Sequence, residues 1–120
     1  MLPAASVAVT GYYANPANKQ LAGGAGDDVL IGKAGIGLTG GAGHDHFVFN
    51  AGFGKETVAD FTSGSDQLWF SHTLFDSASS VMAHAHQSGA DTVIAYDSGD
   101  TVTLTGVLPT ALHASDFIIF

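Results

Sequence analysis

The sequence predicts an all-β fold: a short coil of parallel strands, capped by a β-rich C-terminal segment with one short helix. Three observations carry that expectation. Glycine makes up 16 of the 120 residues, and nine of these lie between Gly23 and Gly43. Within that stretch the glycines keep a fixed period and alternate with apolar residues, which a flexible linker has no need to do. The remainder of the chain offers short β-branched or aromatic runs separated by turn-forming residues.

The elements follow in order. Residues 1–13 contain Val7, Val9, Thr10, Tyr12 and Tyr13, and are expected to form a strand over the open end of the coil. Residues 14–22 read as an eroded repeat, with Leu21 at an apolar position and Lys19 where an acid would stand. Residues 23–31 are a complete nonapeptide of the form G-G-x-G-x-D-x-U-x, filled by Gly23, Gly24, Gly26, Asp28 and Leu30. Residues 32–39 are one residue short and lack the aspartate, with Ile36 or Gly37 nearest to its place. Residues 40–48 complete the pattern again through Gly40, Gly41, Gly43, Asp45 and Phe47. Residues 51–59 form a weaker repeat with Glu56 at the acidic position.

This spacing has a mechanical cause. Each repeat makes a turn and then a short strand, so successive turns fall on alternate edges of a parallel β-roll. Glycine permits the backbone conformations the turn needs, and the large apolar residue points inward. The turns at 23–28 and 40–45 therefore share one edge, and their aspartates lie 17 residues apart. The opposite edge carries Lys19, Gly37 and Glu56 at the acidic positions, so a regular row of cations is not expected there. One domain over 1–120 is expected, with the roll at 14–59 and the cap at 60–120.

In the cap, Gln67–Phe70 read as a strand with Leu68 and Phe70 on one face and Trp69 on the other. Asp76 or Ser77 could cap a helix running to about Gln87, ended by Gly89. Asp91–Tyr96 and Thr101–Thr105 alternate in hydropathy across a DSGD turn, a hairpin signal. A polar connection over 111–115 leads to Asp116 and a final FIIF.

Composition narrows the function classes. Eleven acidic residues stand against three lysines, for a net charge of −8. That balance speaks against nucleic acid and anionic membranes as partners and suits a protein that takes up cations. The absence of cysteine removes disulfides and thiolate metal sites. No window reaches the length of a membrane span. The segment MLPAASVAVTGYY has neither a basic start nor a long apolar stretch, so it does not read as a cleavable signal peptide.

The repeats, the segment DFTSGSDQL, the stretch SGADTVIAYDSGDTVTLTGV and the terminal DFIIF together resemble the C-terminal region of RTX proteins. These are substrates of type I (ABC-transporter) secretion, among them serralysin-type metalloproteases, lipases and haemolysins. The resemblance covers residues 14–120. It implies Ca2+ binding between stacked turns, a secreted, extracellular location, the type I secretion machinery as partner, and no catalytic activity in this region. Carried over residue by residue, it implies one calcium site from Gly24, Gly26, Asp28, Gly40, Ala42 and Asp45. A second site one layer on would use Gly41, Gly43 and Asp45, closed by Asp60 and Asp66. Such mixed carbonyl and carboxylate oxygen sets suit calcium better than magnesium, which demands a tighter octahedron. The terminal Asp116, Phe117, Ile118, Ile119 and Phe120 match the family's uncleaved export signal.

Other chemistry finds little footing. His44 and His46 flank Asp45, and His84 and His86 flank Ala85; residues two apart on a helix do not share a face, so solvent-facing imidazoles are expected. No serine lies in a G-x-S-x-G elbow, and no H-E-x-x-H motif occurs. Asp91, Asp97 and Asp100 read as solvated turn residues. Two rivals to the calcium module remain: a carbohydrate-binding module for an acidic polysaccharide such as alginate, aided by Lys19, Lys33 and Lys55, and an enzyme with an unrecognised site. Open strand edges would also allow a homodimer.

Overall fold

A computed structural model describes residues 10–12, 20–24, 26–31 and 37–120. The strands alternate between two sheets. The first has the order β1 (Thr10–Tyr12), β3 (Val29–Ile31), β5 (His46–Phe49), β7 (Gln67–Phe70), β11 (Phe117–Ile119), and every pairing in it is parallel. The second has the order β2 (Gln20–Ala22), β4 (Gly37–Thr39), β6 (Lys55–Val58), β10 (Thr101–Leu104), β9 (Asp91–Ala95), β8 (Ala85–Ser88). Its first three pairings are parallel and its last two antiparallel. This is the all-β roll with a β-rich cap that the sequence predicts, and the coil runs on past the repeats, since β7, β10 and β11 add rungs in the same parallel sense.

The core follows from the strand period of two. A three-residue strand can turn only its middle side chain inward, and β3 and β4 show that pattern. In the first sheet the inward row is Leu30, Phe47, Leu68 and Phe117, in register across four strands. In the second it is Leu21, Leu38, Val58 and Leu104, ending at Thr92 of β9. Thr92 is buried, and its hydroxyl donates to the carbonyl of Val107 at 2.6 Å, which meets the cost of placing a polar group there. The longer strands β5 and β7 add Phe49 and Phe70, stacked at 5.2 Å, with Phe53 edge-on to Phe49 at 5.3 Å. Phe53 sits in the turn before β6, so the weak repeat supplies an aromatic plug.

The helix is shorter than the sequence predicts. Helix α1 spans Ala78–Ala83 behind the N-cap Ser77, whose hydroxyl accepts from the amide of Ser80. Residues 85–88, expected to continue it, form β8 instead. Gly89 is not a helix stop but the tight turn (φ 62°) of the β8–β9 hairpin. Without β8 the outer edge of β9 would leave its N–H and C=O groups unpaired, and that cross-strand pairing outweighs a weak helical preference. The polar connection expected over 111–115 is bounded by two single turns of 3-10 helix, Pro109–Ala111 and Ala114–Asp116. Gly37, one of two residues nearest the missing acid of the short repeat, lies inside β4; residue 36, like Lys19, Lys33 and most of 1–13, falls outside the described residues. Among the described residues no helix is long and apolar enough to cross a membrane.

Phe47 is completely buried between Leu30 and Leu68. Phe47→Ala is expected to cost about 3–5 kcal/mol in chemical denaturation. The exposed Lys55→Ala is expected to stay within about 0.5 kcal/mol of the parent.

Candidate metal centre

The two complete repeats stack edge on edge. Val29 pairs with His46, so the turns before β3 and β5 lie one above the other. Gly41 and Gly43 have φ of 83° and 96°, a region that side chains rarely enter. They also face the neighbouring turn at close quarters: a Cβ on Gly41 would strike the carbonyl oxygen of Gly24, and one on Gly43 the carbonyl oxygen of Gly26. The carbonyls of Gly24 and Gly26 therefore point into the gap between turns. The carbonyl of Gly40 borders the same gap, 2.8 Å from where a Cβ of Gly23 would lie.

The aspartates form a ladder along this edge. The amide of Asp28 donates to Oδ1 of Asp45 at 3.0 Å, and the amide of Asp45 donates to Oδ1 of Asp66 at 2.9 Å. Backbone bonds run beside them, from the amide of His46 to the carbonyl of Asp28 and from the amide of Gln67 to that of Asp45. All three carboxylates are buried, and among the described residues no lysine pairs with them. Both oxygens of Asp28 and Oδ2 of Asp45 have no hydrogen-bond partner. A buried, unpartnered carboxylate oxygen costs several kcal/mol if ionised, so these atoms call for a cation. Burial, joined by the charges of Asp66, Asp28 and Asp60 and opposed by the bond from Asp28, pushes the carboxyl of Asp45 up to about 7. Burial likewise raises Asp28 and Asp66.

These observations test whether the residues fit a hard cation, and they do. Unpartnered carboxylate oxygens from two turns converge with backbone carbonyls, the donor mixture that calcium accepts. Among the described residues no three His, Cys, Asp or Glu side chains converge as a metal group by themselves, so backbone oxygens have to complete any site. Of the first predicted set, Gly24, Gly26, Asp28, Gly40 and Asp45 border one gap, while Ala42 lies exposed at the outer bend. In the second set, Asp60 reaches the amides of Gly40 and Gly41 at 2.9 and 2.8 Å. Asp66 accepts from the amides of Asp45 and Thr62. Each of these four oxygens carries one amide, so Asp60 and Asp66 brace the turns of Gly40, Gly41 and Asp45.

Sequence reasoning missed three acids in this scheme. Asp27 accepts from the amide of His44 at 2.8 Å and ties the same two turns on their outer side. On the opposite edge Asp100 accepts from the amide of Gly54, 46 residues away, much as Asp60 does at Gly40. Asp116 is buried and accepts from Ser63, Gly64 and His113. The nonapeptide period cannot reveal these links, because each joins a turn to an acid outside the pattern's own positions. Glu56 is buried two residues before the inward Val58, the place Asp28 holds before Leu30. The histidines are spread: His44 Nδ1 meets the carbonyl of Ser65, whereas His46 stacks on Trp69 at 5.0 Å and is held below its usual range by burial.

The raised carboxyls set the sign of a pH effect in chelator. Unfolded aspartates ionise near pH 4, but Asp45 in the fold stays protonated to about 7. Between those values the unfolded chain releases protons that the fold retains, so stability falls as pH rises and levels off above about 7. Urea midpoints in chelator should therefore be lower at about pH 8 than at about pH 5. Equal midpoints would remove the buried-charge argument.

Comparison with known proteins agrees with this geometry. The family model described as peptidase M10 serralysin C terminal matches residues 15–119. Among solved structures the chain is similar to the extracellular lipase LipA from Serratia marcescens, with a TM-score of 0.66 and 26% identity, covering 94% of this chain and 20% of the lipase. The chain thus spans about a fifth of that protein's length. No curated protein matches it in sequence. With almost the whole length matched by the family model and the roll shared with the lipase, the chain belongs to the serralysin C-terminal family, the C-terminal region of RTX-type proteins.

Proposed function

We propose that this chain is a calcium-dependent folding module of a secreted protein, with an export signal at its C-terminus and no catalytic role of its own. The observation that carries the reading is the pair Asp28 and Asp45: buried, stacked on neighbouring turns, and left with three oxygens that no hydrogen bond meets. Gly24, Gly26, Asp28, Gly40 and Asp45 would hold one calcium ion, with Ala42 of the predicted set left at the outer bend. Gly41, Gly43 and Asp45, with Asp60 and Asp66, would hold or brace a second. Bound calcium supplies the positive charge that lets these carboxylates ionise inside the fold.

The module's behaviour follows from mass action. A ligand that binds only the folded chain stabilises it by about 2.7 kcal/mol at a hundred times its dissociation constant. Where calcium is scarce, buried anionic repulsion and the backbone entropy of the glycine turns oppose folding, and the chain stays loose enough to thread a transporter. Outside the cell calcium reverses the balance. The lack of cysteine keeps the threaded chain free of crosslinks. The type I machinery is the partner proposed for the terminal Asp116–Phe120 segment. A polysaccharide ligand finds no specific support, since Trp69, an aromatic ring of the kind that stacks on sugars, is already stacked on His46.

Thermal melts followed by circular dichroism, with calcium and with chelator, test the reading. The parent chain should melt at a higher temperature in calcium, and equal midpoints would overturn the proposal. Asp28→Ala and Asp45→Asn should each abolish most of the calcium-dependent gain. In chelator above about pH 7, Asp45→Asn should be no less stable than the parent, because it removes a buried charge that lacks a full set of partners.

A further inference from the structure

The described residues contain one continuous hydrogen-bonded route from the metal centre to the end of the chain. Asp45 donates its amide to Oδ1 of Asp66. Oδ2 of Asp66 accepts from the amide of Thr62, and the amides of Ser65 and Asp66 return to the carbonyl of Thr62 at 3.1 and 2.8 Å, so residues 62–66 form a closed loop. The outer side of that loop is held by Asp116. Its buried carboxylate accepts from the Ser63 hydroxyl at 2.7 Å, the Gly64 amide at 3.0 Å and the His113 amide at 2.8 Å. Beyond Asp116, β11 lies along β7, which starts directly after Asp66; Phe117 pairs with Leu68 and Ile119 with Phe70. The last residue closes the strand, with the amide of Phe120 on the carbonyl of Phe70 and the amide of His72 on the carbonyl of Phe120. A cleft of about 360 Å³ beside the middle of the route is lined by His44, His46, Asp66 and Asp116.

We propose that Asp116 is a positioning residue for the metal centre, holding the 62–66 loop so that Asp66 fixes the rung of Asp45, and that docking of the C-terminal strand and occupancy of the centre are thereby coupled. This rests on the calcium reading above. The coupling is reciprocal: if a docked tail raises calcium affinity, bound calcium tightens the tail by the same factor. The segment proposed to address the chain for export is then held in the calcium-bound fold and let go in the calcium-free one, through one carboxylate.

Trp69, the single tryptophan, reports on both ends of the route. Its ring stacks on His46 of the site strand and lies 6.4 Å from the ring of Phe120. Calcium titrations of the full chain, read by Trp69 fluorescence, would compare the parent, Asp116→Asn, Ser63→Ala and the control Thr92→Val, which removes a buried hydrogen bond away from the route. Hydrogen exchange at residues 117–120 would be followed with and without calcium. Asp116→Asn is expected to raise the calcium midpoint roughly 10-fold, with Ser63→Ala shifting it less in the same direction. In the parent, calcium should slow exchange at 117–120.

Thr92→Val should shift the calcium midpoint less than about two-fold at an equal loss of melting temperature, which a purely structural role for Asp116 would not allow. A midpoint in Asp116→Asn within about two-fold of the parent, an equal shift in Thr92→Val, or tail exchange indifferent to calcium would overturn the coupling alone. A parent chain without any calcium response would overturn the calcium reading as well. Should Asp116→Asn fail to fold, Ser63→Ala and the parent's tail exchange still decide.

Discussion

Carboxylate charge stacked inside a protein is the constraint around which this molecule is arranged. Three aspartates lie one above another along a single edge of the roll, buried and without a lysine among the described residues to answer them. Amides absorb part of that charge, since each rung lends its N–H to the acid of the next. They do not absorb it all, and the remainder gathers at Asp28 and Asp45. The same acids that order the turns in one solvent condition penalise them in another.

Around this edge the chain uses aspartate in two distinct ways. One kind stands at the sixth position of a repeat and faces the gap between turns. The other arrives from elsewhere in the chain and clamps glycine amides, as Asp60 does at Gly40 and Gly41 and Asp100 at Gly54. Glycine amides that bulky neighbours would shield stay open to such clamps, so the glycine turns and the remote acids depend on each other. A residue type that reads as solvated turn chemistry in the sequence proves to be cross-strand fastening in space.

How much of this was legible beforehand depended on range. The period placed Leu30, Phe47 and the stacking of Asp28 near Asp45 correctly, because each follows from local geometry repeated along the chain. The β9–β10 hairpin was equally visible from its alternation and its DSGD turn. Residues 85–88 were misread as helix, because their fate is set by the open edge of β9 and not by their own preference. The clamps of Asp100 and Asp116 were invisible for a related reason: their partners lie 46 to 53 residues away, a distance no pattern in the sequence counts, while Asp27, two repeats from His44, stands at a position the nonapeptide leaves unspecified.

The parallel pairing of β10 with β6 and of β11 with β7 has a temporal side. These strands come from the last fifth of the sequence yet lie against strands from its middle. Until residues 101–104 and 117–119 dock on β6 and β7, the earlier repeats present an unfinished coil. Non-local contacts of this kind slow folding. Delay is thus built into the topology itself, because the closing rungs wait on pairings between distant stretches of chain.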